Sequence, residues 1–282
     1  MEEARAIVWC TVLGPELTEP TPPVLMSSKP ISVLITGANR GLGLEMVRQM
    51  AETQGPIRAL FACCRDPGGP RAEALQALAK KHKDTIKVVC MDTADQSSIK
   101  QSAQQVGSLL EGKGLNIIIN NAGILTHSTV ADSTPEDMAS CFNTNVIGPM
   151  RVIQEFLPHL RTAAKDSGMS GMHCRKAAVV NISSSLGSVQ SALQSYEGFK
   201  AVPYRVSKAA LNMLNACATV ELQKDEILCA LLHPGWVQTD MGGENASINA
   251  EESVQGMLQV INSLTEKHNG ALLDYRGQTI PW

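Results

Sequence analysis

Short apolar runs rich in β-branched residues alternate with longer amphipathic segments from residue 31 onward. The short runs have the length of buried strands, and the longer segments repeat their apolar residues at helical spacing. Such alternation is typical of βαβ units around a parallel sheet, whose crossovers are right-handed. We therefore expect an α/β fold: a single Rossmann-like, doubly wound domain with a seven-stranded, mainly parallel sheet flanked by helices. The predicted strands are 31–36, 58–63, 85–91, 115–120, 177–182, 227–233 and 271–274, and the predicted helices are about 42–53, 70–82, 96–111, 135–162, 203–223 and 249–265.

The start of the chain lacks this pattern and is rich in proline. This composition predicts a flexible N-terminal extension over residues 1–29, followed by the single domain over residues 30–282. Glu2 and Glu3 do not fit the basic start of a secretory signal.

Composition excludes several classes of function. The 282 residues, 44% of them hydrophobic, can bury a substantial core, and a net charge of -3 leaves no basic footprint for nucleic acid. No apolar run approaches the roughly 20 residues of a membrane-spanning helix. The eight cysteines are scattered without the spacing of a zinc site. We therefore expect free thiols in a cytoplasmic environment, no metal, no nucleic-acid partner and no membrane.

Three glycines follow the first predicted strand, where the chain turns into a helix: Gly37, Gly41 and Gly43. Backbone N–H groups can approach a pyrophosphate at such a turn, and the helix dipole favours its negative charge. The spacing T-G-x-x-x-G-x-G differs from the G-x-G-x-x-G of the commonest dinucleotide fold. A tight strand–helix connection without a ligand is the alternative interpretation.

Further motifs decide between these interpretations. They are TGANRGLG (36–43), NNAG (120–123), Asn145 in NTNVIG, NISSS (181–185), YRVSK (204–208) and PGWVQTDM (234–241). Taken together they resemble the classical short-chain dehydrogenase/reductase family over nearly the whole stretch from Ile31 to Trp282. The long interval between NISSS and YRVSK, with the ending RGQTIPW, is similar to the sniffer-type carbonyl reductases within that family.

Tyr204 and Lys208 are four residues apart in a predicted helix and therefore share one face. A tyrosine titrates near about 10, so a nearby cation such as Lys208 is needed to lower its pKa toward neutrality. After hydride delivery to a carbonyl carbon, Tyr204 would protonate the oxygen. The resemblance assigns a second hydrogen bond to that oxygen to Ser184. It also implies that Asn145 holds a water connecting Lys208 to solvent.

These assignments have rivals. Tyr196 and Lys200 share the tyrosine–lysine spacing, but the small residues after Lys208 and the distance to the PGWVQTDM motif favour Tyr204. Tyr196 would then lie in an insertion, residues 186–203, that rims the substrate pocket. The alternation of side chains on a strand cannot choose among Ser183, Ser184 and Ser185, so Ser184 rests on the resemblance. Asn145 could instead be a mid-helix polar residue that caps a bend.

The charge of the side chain that follows the second predicted strand distinguishes NAD from NADP. An acid at that point suits NAD and an arginine suits the 2′-phosphate of NADP. Arg65 stands there, and Arg40 in the glycine turn adds a second cation, so NADP(H) is expected. Two solvated surface arginines are the alternative. The resemblance assigns further cofactor contacts to Asn39, Leu42, Asp92, Asn121, Ala122, Gly123, Pro234, Gly235, Val237 and Thr239, beside the three glycines, Tyr204 and Lys208.

The expected substrate is an apolar or aromatic aldehyde, ketone or quinone, because the predicted pocket wall is apolar: Leu125, Leu186, Val189, Trp236 and Met241. Arg205 is the cation close to that wall in sequence. We expect an NADPH-dependent carbonyl reductase acting on a small-molecule carbonyl. The alternatives are an NADPH-binding regulatory or scaffold protein with little turnover, and an NAD-linked alcohol dehydrogenase. Related proteins pair through the helices at 135–162 and 203–223, a surface that the insertion could block, and we expect a homodimer.

Overall fold

The computed structural model describes residues 29–52 and 55–282. Apart from residue 29, the predicted N-terminal extension lies outside the described residues. Seven strands form one sheet in the order β3-β2-β1-β4-β5-β6-β7, and every neighbouring pair is parallel. The prediction of a doubly wound sheet is therefore confirmed. The strands are β1 (Ile31–Thr36), β2 (Ile57–Cys64), β3 (Ile86–Cys90), β4 (Ile117–Asn120), β5 (Ala178–Ile182), β6 (Leu228–His233) and β7 (Leu272–Asp274).

Helices connect successive strands and cover both faces of the sheet. They are α1 (Gly41–Glu52), α2 (Glu73–Lys81), α3 (Gln96–Leu109), α4 (Pro135–Phe142), α5 (Gly148–Asp166), α6 (Ala192–Ser195), α7 (Val202–Leu222) and α8 (Ala250–Ser263). Within the described part, none is long and apolar enough to cross a membrane.

Two helical features differ from the sequence pattern. The helix predicted at 135–162 is two α-helices joined by a π-helical segment, Asn143–Ile147. Apolar spacing does not predict this segment, because a π-helix is defined by backbone hydrogen bonds between residues five apart and one turn is too short to show a separate period. The short helix α6 lies inside the predicted insertion and was missed, since four residues are too few to show a period.

The core lies in two layers, one on each face of the sheet. Val33 and Ile35 pack in the layer that contains α1 and α8, whereas Leu34 packs in the layer that contains α3 and α5. This division follows from the two-residue period of a strand. Each fully buried aliphatic or aromatic side chain contributes about 1.5–3 kcal/mol to folding.

Strand order reverses between β1 and β4, so the loops after these strands open a crevice at the carboxyl edge of the sheet. Buried amides hold this edge together. Asn120 donates to the Asn181 side-chain oxygen at 2.8 Å, and Asn181 donates to that of Asn215 on α7 at 2.9 Å. These two hydrogen bonds connect the ends of β4 and β5 to α7, the helix that carries Tyr204.

Candidate active site

The glycine turn is braced by the loop after β4. The Thr36 hydroxyl accepts hydrogen bonds from the backbone N–H groups of Asn121 and Ala122, both at 3.0 Å. The Asn121 side chain donates back to the carbonyl oxygens of Thr36 and Gly37, at 2.9 and 3.1 Å. A Cβ atom on Gly43 would lie 2.1 Å from the Gly37 carbonyl oxygen, so only glycine allows α1 to start this close to the turn. The first N–H groups of α1 therefore face the crevice without intrahelical partners.

A cavity of about 480 Å³ occupies this crevice. Its wall brings together most of the residues that the sequence analysis assigns to a cofactor. They are Gly37, Asn39, Arg40, Gly41, Leu42, Arg65, Asp92, Asn121, Ala122, Gly123, Tyr204, Lys208, Pro234 and Thr239.

Three predicted cofactor residues lie outside the cavity wall. Gly43 packs inside the turn itself, as described above. Gly235 has φ +85° and turns the chain against Ile248 and Tyr275, and Val237 is buried in the same loop. Asp92 and Thr239 line the cavity but also stabilise turns, because Asp92 accepts from Ala94 N–H at 2.9 Å and Thr239 from Gly242 N–H at 3.2 Å.

The exposed, outer end of the cavity carries charges of both signs, because Asp66 and Asp240 line it beside the arginines. Arg40 and Arg65 are exposed there, and Arg71, which the sequence analysis missed, joins them. Arg40 forms an ion pair with Asp240 in the loop after β6, so this cation is shared between the glycine turn and that loop. Three guanidinium groups around one pocket end suit a phosphate monoester.

Tyr204 and Lys208 lie at the inner end of the cavity on adjacent turns of α7. The Lys208 ammonium nitrogen is 5.5 Å from the centroid of the Tyr204 ring. It also donates to the carbonyl oxygen of Ile182, the last residue of β5, at 2.7 Å. Both side chains are buried within the protein but reach the cavity wall.

The pKa values at this end differ from the sequence expectation. Burial raises the pKa of Tyr204 to about 12, against a hydrogen bond from Ser184 that lowers it. Burial also lowers the pKa of Lys208 to about 8. Desolvation of the phenolate is the largest cause of the raised Tyr204 pKa, and the contact with Ser184 offsets only part of it. Tyr204 is therefore protonated at neutral pH, which suits a proton donor.

The three adjacent serines have different surroundings. Ser184 lies beside the Tyr204 phenol, and its oxygen accepts from Leu186 N–H at 3.1 Å, which orients the hydroxyl. Ser183 instead donates to the Asn212 side chain at 2.6 Å, and Ser185 begins a 3₁₀ turn. Ser184 is thus the serine that lowers the pKa of the phenol, whereas Ser183 is the one of the three that lines the cavity.

Asn145 occupies the π-helical segment and is buried. Its side-chain oxygen accepts from Ile124 N–H, and its nitrogen donates to the Ile124 carbonyl and to the Ser207 hydroxyl, each at 2.9 Å. Both Asn145 and the Lys208 ammonium face Gly123. The amide therefore fixes the loop after β4 next to α7. π-Bulges of this kind are frequent at functional sites.

Comparison with known proteins identifies the family. The family model described as short chain dehydrogenase matches residues 32–250. The chain belongs to the short-chain dehydrogenase family. Two similar solved structures are an NADPH-bound carbonyl reductase from chicken fatty liver, 44% identical with a TM-score of 0.85, and the carbonyl reductase Sniffer of Drosophila melanogaster, 34% identical with a TM-score of 0.84. Each alignment covers 90% of this chain and 100% of the other. The C-signal protein of Myxococcus xanthus is 40% identical over 169 residues, which are 60% of this chain and 93% of that protein.

Membership in the short-chain dehydrogenase family makes the protein an oxidoreductase. In this short-chain dehydrogenase, the rival Tyr196 has a structural contact instead of a place in the cavity: the Arg205 guanidinium lies 5.6 Å from its ring centroid. The predicted apolar rim is partly exposed, with Val189, Trp236 and Met241 at 72%, 49% and 42%. Met241 also lines the cavity.

Sequence reasoning missed several cavity residues of this short-chain dehydrogenase. Arg71 follows Pro70 in a short 3₁₀ turn, where no motif marks it. Cys64, Thr93, Ile124 and Ile182 contribute to the wall because they stand at strand ends or just after them. A rule that assigns every residue at the carboxyl end of a parallel strand to the ligand crevice would have found most of them.

Proposed function

We propose that the protein is an NADPH-dependent carbonyl reductase that acts on an apolar or aromatic aldehyde, ketone or quinone, with Tyr204 as proton donor. The observation that carries the proposal is the arrangement of one continuous cavity. Its outer end is lined by Arg40, Arg65 and Arg71, and its inner end by Tyr204 and Lys208.

NADPH fits the residues present. The start of α1 and the glycine turn offer backbone donors to a pyrophosphate, and the three arginines suit a 2′-phosphate. The NADPH-bound state of the chicken carbonyl reductase supports this cofactor for the present chain. When bound, NADPH supplies a hydride to the carbonyl carbon. Gly37, Arg40, Arg65, Asn121 and Thr239 are among the cavity residues that would hold it.

The chain's own residues handle the oxygen and the proton. Ser184 and Tyr204 donate hydrogen bonds to the carbonyl oxygen, which polarises the carbonyl group. Tyr204 then gives its proton to the developing alkoxide, and Lys208 stabilises the phenolate that remains. Asn145 fixes the loop after β4 to α7 through Ile124 and Ser207, and its position across Gly123 from the ammonium suits the predicted relay of water to Lys208.

Apolar side chains favour the substrate class. Met241 lines the cavity, and Val189 and Trp236, which the sequence analysis assigns to the same wall, expose large apolar surfaces. Such surfaces bind an aromatic or aliphatic carbonyl by excluding water, whereas a phosphorylated sugar would need cations that this rim does not supply. Arg205 is the cation that the sequence analysis placed near this wall. Its guanidinium already donates hydrogen bonds to backbone carbonyl oxygens of the insertion.

The proposed assembly is a homodimer in a cytoplasmic, reducing environment. Val206, Met213 and Val220 are seven residues apart on α7, so they form one apolar stripe, and they are exposed by 44%, 63% and 76%. That stripe supports pairing through α7. Sedimentation of the wild type against Met213→Glu tests it, and a monomer at micromolar concentration for both proteins would contradict it.

The test of function is NADPH oxidation with a panel of aldehydes, quinones and isatin-like diketones. We expect wild-type turnover with at least one apolar carbonyl, and a loss of about 10²–10⁴-fold in kcat for Tyr204→Phe. Tyr196→Phe is the matched control, because it removes the hydroxyl of the rival tyrosine, and it should retain wild-type kcat. NADPH binding with no turnover above Tyr204→Phe would favour a regulatory or scaffold protein. Turnover only with NADH would favour the NAD-linked alternative.

A further inference from the structure

The insertion 186–203 begins and ends next to residues of the proposed active site. Ser184 lies two residues before its first residue, and Tyr204 follows it immediately. Its middle contains the short helix α6, and Val189 and Leu193 on either side of the helix start are 72% and 92% exposed. Apolar side chains are buried mainly toward the end of the insertion, where Phe199 is half-buried and Ala201 is buried, so polar contacts contribute to holding its centre.

Arg205 supplies most of those contacts. Its guanidinium donates to the Phe199 carbonyl oxygen from Nε at 3.1 Å and from Nη2 at 3.0 Å. It also donates to the Ser195 carbonyl oxygen at 2.7 Å and to the Ser195 hydroxyl at 3.0 Å. The Tyr196 ring stacks near it, at 5.6 Å from the guanidinium carbon. Arg205 is only 8% exposed, so these bonds are shielded from water.

We propose that Arg205 is a positioning residue that clamps the insertion 186–203 against the start of α7 and thereby fixes the substrate-side wall beside Tyr204. This role rests on the proposed function for its effect on substrates. Its effect on the insertion does not depend on turnover.

Geometry explains why arginine is needed. The three carbonyl and hydroxyl acceptors come from two residues, Ser195 and Phe199, at the end of α6 and four residues later. A planar fork of donors reaches both at once, whereas a lysine ammonium reaches one point. The conservative change to lysine is therefore informative.

Other ties hold the two margins of the insertion. Gln190 N–H donates to the Trp282 carbonyl oxygen at 3.0 Å, and Val202 N–H donates to the Ser128 carbonyl oxygen at 3.0 Å. The rings of His127 and Phe199 are 5.0 Å apart. Loss of Arg205 would thus loosen the centre of the insertion while its margins stay attached, and α7 would keep its register. We expect substrate fit to suffer more than the chemical step.

The experiment combines kinetics with hydrogen exchange. Arg205→Met keeps the aliphatic stem and removes every donor, and Arg161→Met is the matched control, since Arg161 pairs with Asp225 at 2.9 Å away from the cavity. For Arg205→Met we expect KM for a bulky aromatic carbonyl to rise about tenfold, KM for a small aldehyde to rise less than about threefold, and kcat to stay within about threefold for both. Amide exchange over residues 190–199 should accelerate about tenfold or more, with α7 and the sheet unchanged.

Milder variants keep the test decisive if Arg205→Met folds poorly. Arg205→Lys should show the same selective rise in KM at smaller size, and Ser195→Ala, which removes a single acceptor, should show the smallest effect. Tyr196→Phe keeps the stacked ring and should match wild type.

Two outcomes would contradict the proposal. Amide exchange over residues 190–199 that equals wild type in both Arg205→Met and Arg205→Lys would overturn the positioning role of Arg205. So would an equal loss of kcat for small and bulky substrates. A wild type without carbonyl turnover would refute the proposed function, and the exchange result would still decide the clamp.

Discussion

Lys208 donates a hydrogen bond from its ammonium nitrogen to the Ile182 carbonyl oxygen across 2.7 Å, which ties the helix of Tyr204 to the end of β5. Ser184 lies two residues beyond this carbonyl. One lysine therefore sets the spacing between the two groups that would contact the carbonyl oxygen. Burial at this junction lowers the pKa of Lys208 to about 8.

The reduction rate should fall as pH rises through about 8. Lys208 carries its charge below that pH and loses it above, while Tyr204, whose pKa burial raises to about 12, stays protonated throughout. If the ammonium stabilises the phenolate, kcat should be level from pH 6 to 7.5 and then fall toward tenfold per pH unit. The measurement is kcat for a fixed carbonyl at saturating NADPH between pH 6 and 10.

Two variants test whether Lys208 causes the fall of kcat above about pH 8, the alkaline limb of the pH profile. Lys208→Met should lower kcat by about 10²-fold or more and remove the limb. Lys200→Met removes an exposed lysine that pairs with Glu197 at 3.2 Å, and it should keep the wild-type profile. A limb that persists in Lys208→Met would assign it to another group.

Some features of the candidate active site could be predicted from the sequence, and others depend on the packed fold. The spacing of Tyr204 and Lys208 on a helix predicts their common face, and the structure places them on one face. The direction of the Tyr204 pKa could not be predicted, because it depends on how deeply the phenol is buried, which is a property of the packed fold. Likewise, the choice among three adjacent serines depends on which one faces the Tyr204 phenol, and strand alternation alone does not define that face.

Reversing the charge of Arg65 should weaken NADPH binding selectively. Arg65 is exposed at the outer cavity end, where a 2′-phosphate would lie if the dinucleotide binds as proposed. Loss of charge-assisted hydrogen bonds worth about 1.5–3 kcal/mol should raise Kd for NADPH by about 10–100-fold in Arg65→Asp. Kd for NADH should change by less than about threefold. Fluorescence titration of both cofactors measures this.

Lys100→Asp is the control for the general change in charge, because Lys100 is exposed on α3 outside the cavity wall. It should leave both Kd values within about twofold at physiological salt. Equal weakening of NADPH and NADH in Arg65→Asp would show that Arg65 does not recognise the 2′-phosphate.

Gly187 should not tolerate a side chain. A Cβ atom there would lie 2.8 Å from the backbone carbonyl carbon of Lys208 and 3.0 Å from the nitrogen of Ala209. Gly187→Ala must therefore push the turn after Ser184 away from α7, at a cost of about 1–3 kcal/mol in the free energy of unfolding. Because Ser184 and Lys208 would separate, kcat should fall about tenfold or more. Urea denaturation and kcat measure the two effects.

The matched control lies in the insertion. A Cβ atom on Gly198 would meet its nearest neighbour, the Ser195 carbonyl oxygen, at 3.9 Å, which is ordinary contact. Gly198→Ala should change the free energy of unfolding by less than about 0.5 kcal/mol. If both alanine variants behave alike, close approach at Gly187 is not required.

The fold was largely predictable and its exceptions have physical causes. β1 and β4 were found because continuous β-branched runs leave few alternatives to a buried parallel strand. The π-helical segment at Asn143–Ile147 was not, because its evidence is a backbone hydrogen bond from Gly148 N–H to the Asn143 carbonyl, five residues back. Arg71 was missed since its place in the cavity arises from the packing of the segment between β2 and α2, which carries no periodic signal.

His233 should make the protein sensitive to acid. Burial lowers the pKa of this last residue of β6 to about 4 from its ordinary 6.5, although Asp274 raises it, and its Nδ1 has no hydrogen-bond partner among the described residues. Between pH 6.5 and about 4, His233 is therefore protonated in the unfolded chain but neutral in the folded chain. The free energy of unfolding is at its full value above pH 6.5 and falls as pH drops through this window. The difference between the folded and unfolded pKa values of His233 corresponds to at most about 3 kcal/mol in the free energy of unfolding.

Urea denaturation from pH 7 to 4 tests this prediction. His233→Gln should lose less stability than wild type over that range, while His127→Gln, which removes an exposed imidazole, should follow wild type. Parallel curves for all three proteins would mean that His233 takes up its proton in the folded state as readily as in the unfolded chain.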